Sequence, residues 1–174
     1  MRVILQSICA LLLSVVLMTQ AEAKMIRVVG NSMKPEISSG DFLLYQPFGD
    51  KTPNRFDRVV VKYPGRGDEL FISRIIGLEN ETVQWEANQL LIDGELVQQD
   101  FEHNSNTMDF GPVTIPAEHF FVAGDFRSSS VDSRLDQIGS LANDMLVGLI
   151  IEVLHPDQDR MKIFFHAVDN AITP

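Results

Sequence analysis

The chain has 174 residues, 45% of them hydrophobic, and a formal net charge of −10. This length suits one domain plus a short N-terminal targeting element, and the apolar fraction argues against wholesale disorder. An acidic domain lacks the basic surface that nucleic-acid binding needs, so no nucleic-acid partner is predicted. Anionic lipid headgroups would repel it, so membrane contact would use apolar surface or an anchor.

Cysteine and histidine give no sign of a metal site. The only cysteine, Cys9, lies in the N-terminal apolar stretch, so the rest of the chain has no disulfide and no thiol nucleophile. The histidines lack the clustered spacing of zinc ligands. They are His103, His119, His155 and His166. No metal and no cofactor is predicted.

Residues 1–23 form the first predicted unit, a signal peptide or a membrane anchor. Residues 3–21 carry no charge and follow Arg2, and they are just long enough to span a bilayer as a helix. The A-E-A sequence at residues 21–23 also fits a cleavable signal peptide. Both interpretations stay open. Each places residues 24–174 outside the cytoplasm, anchored to the cytoplasmic membrane or periplasmic or secreted after cleavage.

From residue 24 onward the sequence predicts short strands separated by turns. Apolar, β-branched runs bounded by Gly, Pro, Asn and Asp are typical of strands. The predicted strands are residues 42–45, 58–63, 70–78, 82–85, 89–92, 95–97, 113–115, 119–123, 145–154 and 161–166. Residues 100–108 are predicted to form an exposed loop. Helical periodicity is weak beyond the N-terminal apolar helix, so we predict one mainly β domain, a folded sheet or barrel, over residues 24–174.

The first stretch that could carry chemistry is V-G-N-S-M-K-P at residues 29–35. Ser32, on a constrained loop, could present its hydroxyl and backbone N–H groups to a substrate. The competing interpretation is that Asn31 and Ser32 form a turn or a cap. Composition alone favours the turn.

The second stretch is G-D-F-R-S-S-S-V-D-S-R at residues 124–134. Small hydroxyl residues among alternating acids and arginines suit a buried, hydrogen-bonded loop. In such a loop Asp132 and Arg134 could form an ion pair that fixes its shape. A solvated polar turn is equally compatible with the composition.

Together these stretches resemble the signature boxes of the type I signal peptidase family. S-M-K-P at residues 32–35 resembles the S-M-x-P box around the family's catalytic serine. Residues 124–134 resemble the last box, G-D-N-x-x-x-S-x-D-S-R-x-x-G. Phe126 replaces the asparagine of that box, and Gly139 lies two residues later than the closing glycine usually does.

Two further boxes lie between them. Residues 56–64, F-D-R-V-V-V-K-Y-P, resemble the family strand R-G-D-x-V-V-F-K-Y-P. Residues 71–78, F-I-S-R-I-I-G-L, resemble the base-bearing strand Y-I-K-R-x-I-G-L. The order and spacing of the four boxes agree over roughly residues 26–155, which is far more specific than a single S-M-x-P.

The resemblance implies a serine endopeptidase that removes leader peptides after small residues at −1 and −3, using a serine–lysine dyad. Ser32 would be the nucleophile and Ser130 the hydroxyl that supports the base, while Asp132 and Arg134 would hold the loop. A buried lysine can deprotonate a serine because an apolar site disfavours its ammonium form. The implied partners are extended leader peptides of secreted proteins or pilins, bound by strand addition.

Two positions depart from the family pattern. Ser73 occupies the position of the lysine base, and a serine hydroxyl cannot act as a general base near neutral pH. Gly30 stands where many members carry a hydroxyl that completes the oxyanion hole, which leaves the Ser32 amide as a donor. Lys34 and Lys62 are weak candidates for a replacement base.

The sequence leaves three alternative functions for this chain. The retained Ser32 favours a leader or pilin-type peptidase with an atypical base. Ser73 and Gly30 favour an inactive homologue that binds export or pilus substrates as an assembly factor. The third is a self-cleaving regulator of the related repressor-protease fold. The N-terminal apolar segment and the lack of a DNA-binding region argue against it.

Overall fold

The computed structural model describes residues 23–49, 52–101, 103 and 108–156. The predicted N-terminal helix, the predicted strand at residues 161–166 and part of the predicted loop at residues 100–108 lie outside them. No helix within the described ranges is long and apolar enough to cross a membrane.

The described residues contain eleven strands and two short 3-10 helices, which confirms the mainly β prediction. The strands are β1 (Lys24–Arg27), β2 (Phe42–Pro47), β3 (Arg58–Val61), β4 (Phe71–Gly77), β5 (Thr82–Glu86), β6 (Gln89–Ile92), β7 (Glu95–Leu96), β8 (Phe110–Thr114), β9 (His119–Ala123), β10 (Leu141–Ala142) and β11 (Leu146–Leu154). The 3-10 helices are Arg127–Ser129 and Asn143–Met145. β1 and β10 were not predicted, because one is mostly exposed and the other has two residues.

The strands form two antiparallel sheets. The larger sheet has the order β1-β2-β11-β3-β4-β9-β10, and the smaller has the order β7-β6-β5-β8. Strands β5 to β8, which form the smaller sheet, lie in the sequence between β4 and β9 of the larger sheet. β1 is therefore an edge strand, with one side free of pairing within the described part of the chain.

Side chains of β4 alternate between two hydrophobic clusters, as the twofold period of a strand requires. Ile72 packs against the cluster that contains Met33 and Ile37. Phe71 and Ile75 pack in the cluster on the other face of the sheet. Ile72 therefore supports the segment that carries Ser32. By the same alternation, Ser73 belongs to the face of β4 that carries Phe71 and Ile75.

Candidate active site

The Ser32 loop (residues 28–41) connects β1 to β2 and is tied at its base. The Val28 amide donates to the Asp41 carbonyl at 2.8 Å, and the Gly40 amide donates to the Val28 carbonyl at 3.0 Å. The Asp41 side chain adds a bond from the Ser38 amide at 2.8 Å. These bonds fix both ends of the loop, so Ser32 has a defined position.

A cleft of about 550 Å³ runs beside Ser32. It is lined by Ile26, Arg27, Val28, Val29, Gly30, Ser32, Met33, Ile37, Glu69, Leu70, Phe71 and Ile72. Met33 and Ile37 are buried, whereas Ser32 is only partly buried. Neither the hydroxyl nor the amide of Ser32 has a hydrogen-bond partner among the residues described. Both groups are therefore free to meet a ligand in the cleft.

Two strand edges border this cleft. Val28 directs its amide and carbonyl at residues of the β2 side, so by antiparallel alternation those of Arg27 and Val29 point to the free edge. On the opposite wall, β4 pairs with β9 only from Arg74 onward. Within the described residues the other edge of residues 71–73 is therefore also unpaired, and an extended peptide could bond to both walls.

Gly30 has a backbone conformation that explains its identity. Its φ is +105°, and a Cβ placed there would meet no atom within 4 Å. Backbone strain, and not lack of space, therefore favours glycine at this position, since other residues rarely adopt this φ. The bend leads directly into Ser32.

Gly124 and Ser130 pack against the back of Ser32. The Phe126 amide donates to the Ser32 carbonyl at 2.9 Å. The Ser130 hydroxyl donates to the Phe126 carbonyl at 2.7 Å and lies 3.2 Å from the Ser32 carbonyl. A Cβ at Gly124 would lie 2.2 Å from Ser130 Oγ and 2.6 Å from the Ser32 carbonyl oxygen. Only glycine allows this approach.

The loop of residues 124–134 is held by buried ion pairs, so the solvated alternative is wrong. Arg134 donates to both carboxylate oxygens of Asp132, from Nε at 2.8 Å and from Nη2 at 2.7 Å. Arg74 donates to both oxygens of Asp125 at 2.9 and 2.7 Å. Burial raises the pKa of Asp125, and Arg74 acts in the opposite direction. Both aspartates are fully buried.

Ser73 lies in the hydrophobic interior and does not line the cleft. It is 1% exposed, and its Oγ is 2.7 Å from the hydroxyl oxygen of Tyr63. Burial raises the pKa of Tyr63 well above its usual range, against the opposing effect of the bond to Ser73. Tyr63 is thus a neutral phenol at any physiological pH and cannot serve as a base.

Neither lysine considered as a replacement base lines the cleft. Lys62 bonds Asp68 at 2.6 Å at the protein surface. Lys34 lines a separate open cavity together with Pro35 and Ser38. The described residues therefore bring Ser32, Ser130 and the Asp132 loop together, whereas Ser73 and both lysines do not line the cleft.

Sequence reasoning predicted Arg134 but gave no role to Tyr63, Arg58 or Arg74. Arg74 donates hydrogen bonds to both Asp125 and Glu36, and Glu36 also forms an ion pair with Arg58. Burial alone would lower the pKa of Arg74, but the two carboxylates raise it above its usual value. The available signal was a lone charge in the apolar run of β4, since a charge at such a position needs a buried partner.

Comparison with known proteins decides the family. A family model described as signal peptidase, peptidase S26, matches residues 1–154. The chain belongs to this signal peptidase family. Signal peptidase I T of Bacillus subtilis is 34% identical over 146 residues, covering 74% of this chain and 72% of the relative. Signal peptidase I V of the same organism is 34% identical over 140 residues, covering 71% and 81%.

A solved structure supports the same assignment. The crystal structure of a signal peptidase I from Enterococcus faecalis is 28% identical, with a TM-score of 0.50. The match covers 58% of this chain and 98% of that one. The resemblance to type I signal peptidases and the signal-peptidase-like β fold are thus confirmed.

Proposed function

We propose that this chain is a signal-peptidase-like serine endopeptidase that removes leader peptides from exported proteins, with Ser32 as nucleophile. The observation that carries the proposal is the free hydroxyl and amide of Ser32 on the wall of a cleft between two unpaired strand edges. The hydroxyl would attack the scissile carbonyl. The amide would donate to the oxyanion that forms, as such donors do in acyl transfer.

The cleft suits an extended leader peptide. Backbone groups of Arg27 and Val29 on one wall, and of residues 71–72 on the other, would pair with the peptide by strand addition. Met33 and Ile37 give the floor an apolar surface that favours small apolar side chains next to the scissile bond. Ser130 and the Asp132–Arg134 pair would act as positioning residues, because they hold the backbone of the Ser32 loop.

Removal of the Ser32 proton is the weak step. No titratable side chain of the described residues is hydrogen-bonded to the Ser32 hydroxyl, and Ser73 is bonded to the neutral Tyr63. Without a positioned base, a serine hydroxyl is a poor nucleophile. We therefore expect cleavage that is slow compared with a peptidase carrying the lysine.

A second candidate function rests on the Ser73–Tyr63 pair. It fills the base position with two neutral, mutually satisfied hydroxyls. The chain would then bind leader peptides of exported proteins or pilins without cutting them, as an assembly factor.

The domain is proposed to act at the outer side of the cytoplasmic membrane. Residues 1–23 would serve as an anchor or as a cleaved signal peptide, and residues 24–174 would form the working domain. Two apolar side chains that line the cleft, Val29 and Leu70, are exposed to solvent, and so is Met25 of β1. They would bring the cleft close to the membrane surface, where leader peptides emerge.

One experiment tests both functions. The full chain in detergent is incubated with a precursor that carries an A-x-A site, beside Ser32→Ala, Ser73→Lys and the control Ser39→Ala. Ser39 is an exposed serine of the same loop. Product is followed by mass spectrometry, and precursor binding by fluorescence anisotropy.

Cleavage by the wild type and by Ser39→Ala, but not by Ser32→Ala, supports the endopeptidase and contradicts the binding factor. Binding without cleavage contradicts the endopeptidase. In that case cleavage gained by Ser73→Lys would identify the absent base as the reason.

A further inference from the structure

Arg127 is a buried cation that forms no ion pair with a carboxylate among the described residues. It is 3% exposed. Its Nε donates to the Gly124 carbonyl at 2.8 Å, and its Nη2 donates to Gln99 Oε1 at 2.8 Å. Nη1 is the one buried side-chain polar atom of the described residues that has no hydrogen-bond partner. A buried donor left unpaired is costly, and a buried charge without a counter-charge more so.

The neighbouring carboxylates Asp125 and Asp132 attract Arg127 but form no hydrogen bond with it. Asp125 is engaged by Arg74 and Asp132 by Arg134, each through two hydrogen bonds. Glu36 is likewise shared between Arg58 and Arg74, so no carboxylate of this network is hydrogen-bonded to Arg127 among the described residues. Burial lowers the pKa of Arg127 to about 10, so the group is still protonated at neutral pH.

A cavity of about 370 Å³ lies next to this charge. It is lined by Met108, Asp109, Phe110, Arg127, Ser128, Ser130, Asp132, Arg134 and Leu135. Arg134 donates to Asp132 from Nε and Nη2, and its Nη1 has no hydrogen-bond partner among the described residues. Asp109 and Asp132, which is paired with Arg134, are the acidic groups of the lining, and one oxygen of Asp109 accepts a bond from the Ala87 amide.

We infer that this cavity is an oxyanion site in which the guanidinium groups of Arg127 and Arg134 bind a carboxylate or a phosphate. Guanidinium groups recognise both chemistries through charge-assisted hydrogen bonds. The site is separate from the cleft and does not depend on the proposed cleavage. A bound anion would stabilise the Ser32 loop, because Arg127 holds Gly124 and Ser130 lines the cavity while bonding behind Ser32.

Trp85 provides the probe. It is the single tryptophan of the chain, and its ring centroid lies 5.3 Å from Cζ of Arg127 and 5.9 Å from Cζ of Arg134. The full chain in detergent is titrated with sodium phosphate and, separately, with sodium acetate, at constant ionic strength set by sodium chloride. Trp85 emission and the unfolding midpoint Tm are recorded.

We expect a saturable change in emission and a rise in Tm with at least one of the two anions. A tighter response to phosphate identifies a phosphate site, and a tighter response to acetate identifies a carboxylate site. Arg127→Gln should weaken the response at least tenfold, while Arg66→Gln, at an exposed turn, should leave it unchanged.

Ser128→Asp keeps Arg127 in place and brings a carboxylate to the lining of the cavity. It should raise Tm in chloride and reduce the response to added anion. A wild-type response no larger than that to chloride overturns the inference. An unaltered response in folded Arg127→Gln or in Ser128→Asp overturns it as well.

Discussion

Ser32 and Ser73 have the same hydroxyl in opposite surroundings. Ser32 lies on a glycine-bent loop at a cleft, with its hydroxyl and amide unbonded in the described part of the chain. Ser73 lies inside a strand, is 1% exposed and bonds Tyr63 at 2.7 Å. The loop thus leaves the Ser32 hydroxyl available to a ligand, whereas the strand buries the Ser73 hydroxyl in a satisfied hydrogen bond.

The difference teaches that the two halves of this site are stabilised by different interactions. The back of Ser32 is held by buried charges and by one glycine contact. Ser73 is held by a single hydrogen bond between neutral groups. Removing a charge from the first half should therefore destabilise the fold far more than removing a hydroxyl from the second.

The largest effect is expected for Asp132→Ala. It leaves Arg134 without its partner and removes the acceptor of the Gly124 amide. Breaking one side of a buried ion pair costs about 3–5 kcal/mol, which urea unfolding would measure. Asp68→Ala, which breaks the surface pair with Lys62, is the control and should change nothing measurable. Equal losses in the two variants would contradict the buried role of Asp132.

Gly124→Ala should rank second. The new methyl group would collide with Ser130 and with the backbone carbonyl of Ser32. Overpacking of this kind costs about 3 kcal/mol, and it should also reduce precursor binding. Gly139→Ala is the control, because its site is open and its φ of +59° adds only backbone strain of about 1 kcal/mol. A Gly124→Ala variant as stable as the control would contradict the contact.

Ser73→Ala should destabilise the fold by about 1–2 kcal/mol, because it leaves the Tyr63 hydroxyl buried and unpaired. Tyr63→Phe should act similarly. The double variant should lose less than the sum of the two, since removing both polar groups leaves none unsatisfied. The free energy of unfolding by heat or urea is measured for the wild type, the two single variants and the double variant. Strict additivity of the losses would show that the two hydroxyls do not interact.

The smallest effect concerns alkaline pH. The folded pKa of Tyr63 lies above its unfolded value of about 10, so its stabilising contribution is complete below pH 10 and is lost as pH rises further. The free energy of unfolding of the wild type, measured relative to Tyr63→Phe, should therefore fall as the pH rises above about 10. The chain has two tyrosines, and tyrosinate absorbance should show Tyr63 ionising only with unfolding. Ionisation of Tyr63 in the folded protein at its ordinary pKa would contradict this.

Much of the fold was predictable because the strand signals are local. Residues 82–85, 89–92 and 119–123 were predicted within one residue of β5, β6 and β9. Ser32, Ser130, Asp132 and Arg134 were singled out by their resemblance to the family's boxes, and their roles stay predictions. β1 was missed because its short, mostly exposed sequence carries no alternation; its pairing with β2 makes it a strand.

The sequence by itself determined the mainly β class and the family resemblance, because motifs and β-branched runs are written in consecutive residues. Only the tertiary structure decided that Ser73 bonds Tyr63, that Gly124 must be a glycine and that Arg127 has no carboxylate partner in the described part of the chain. Each of these depends on which side chains meet across strands and loops. That is fixed by sheet parity and burial, which spacing along the chain does not encode.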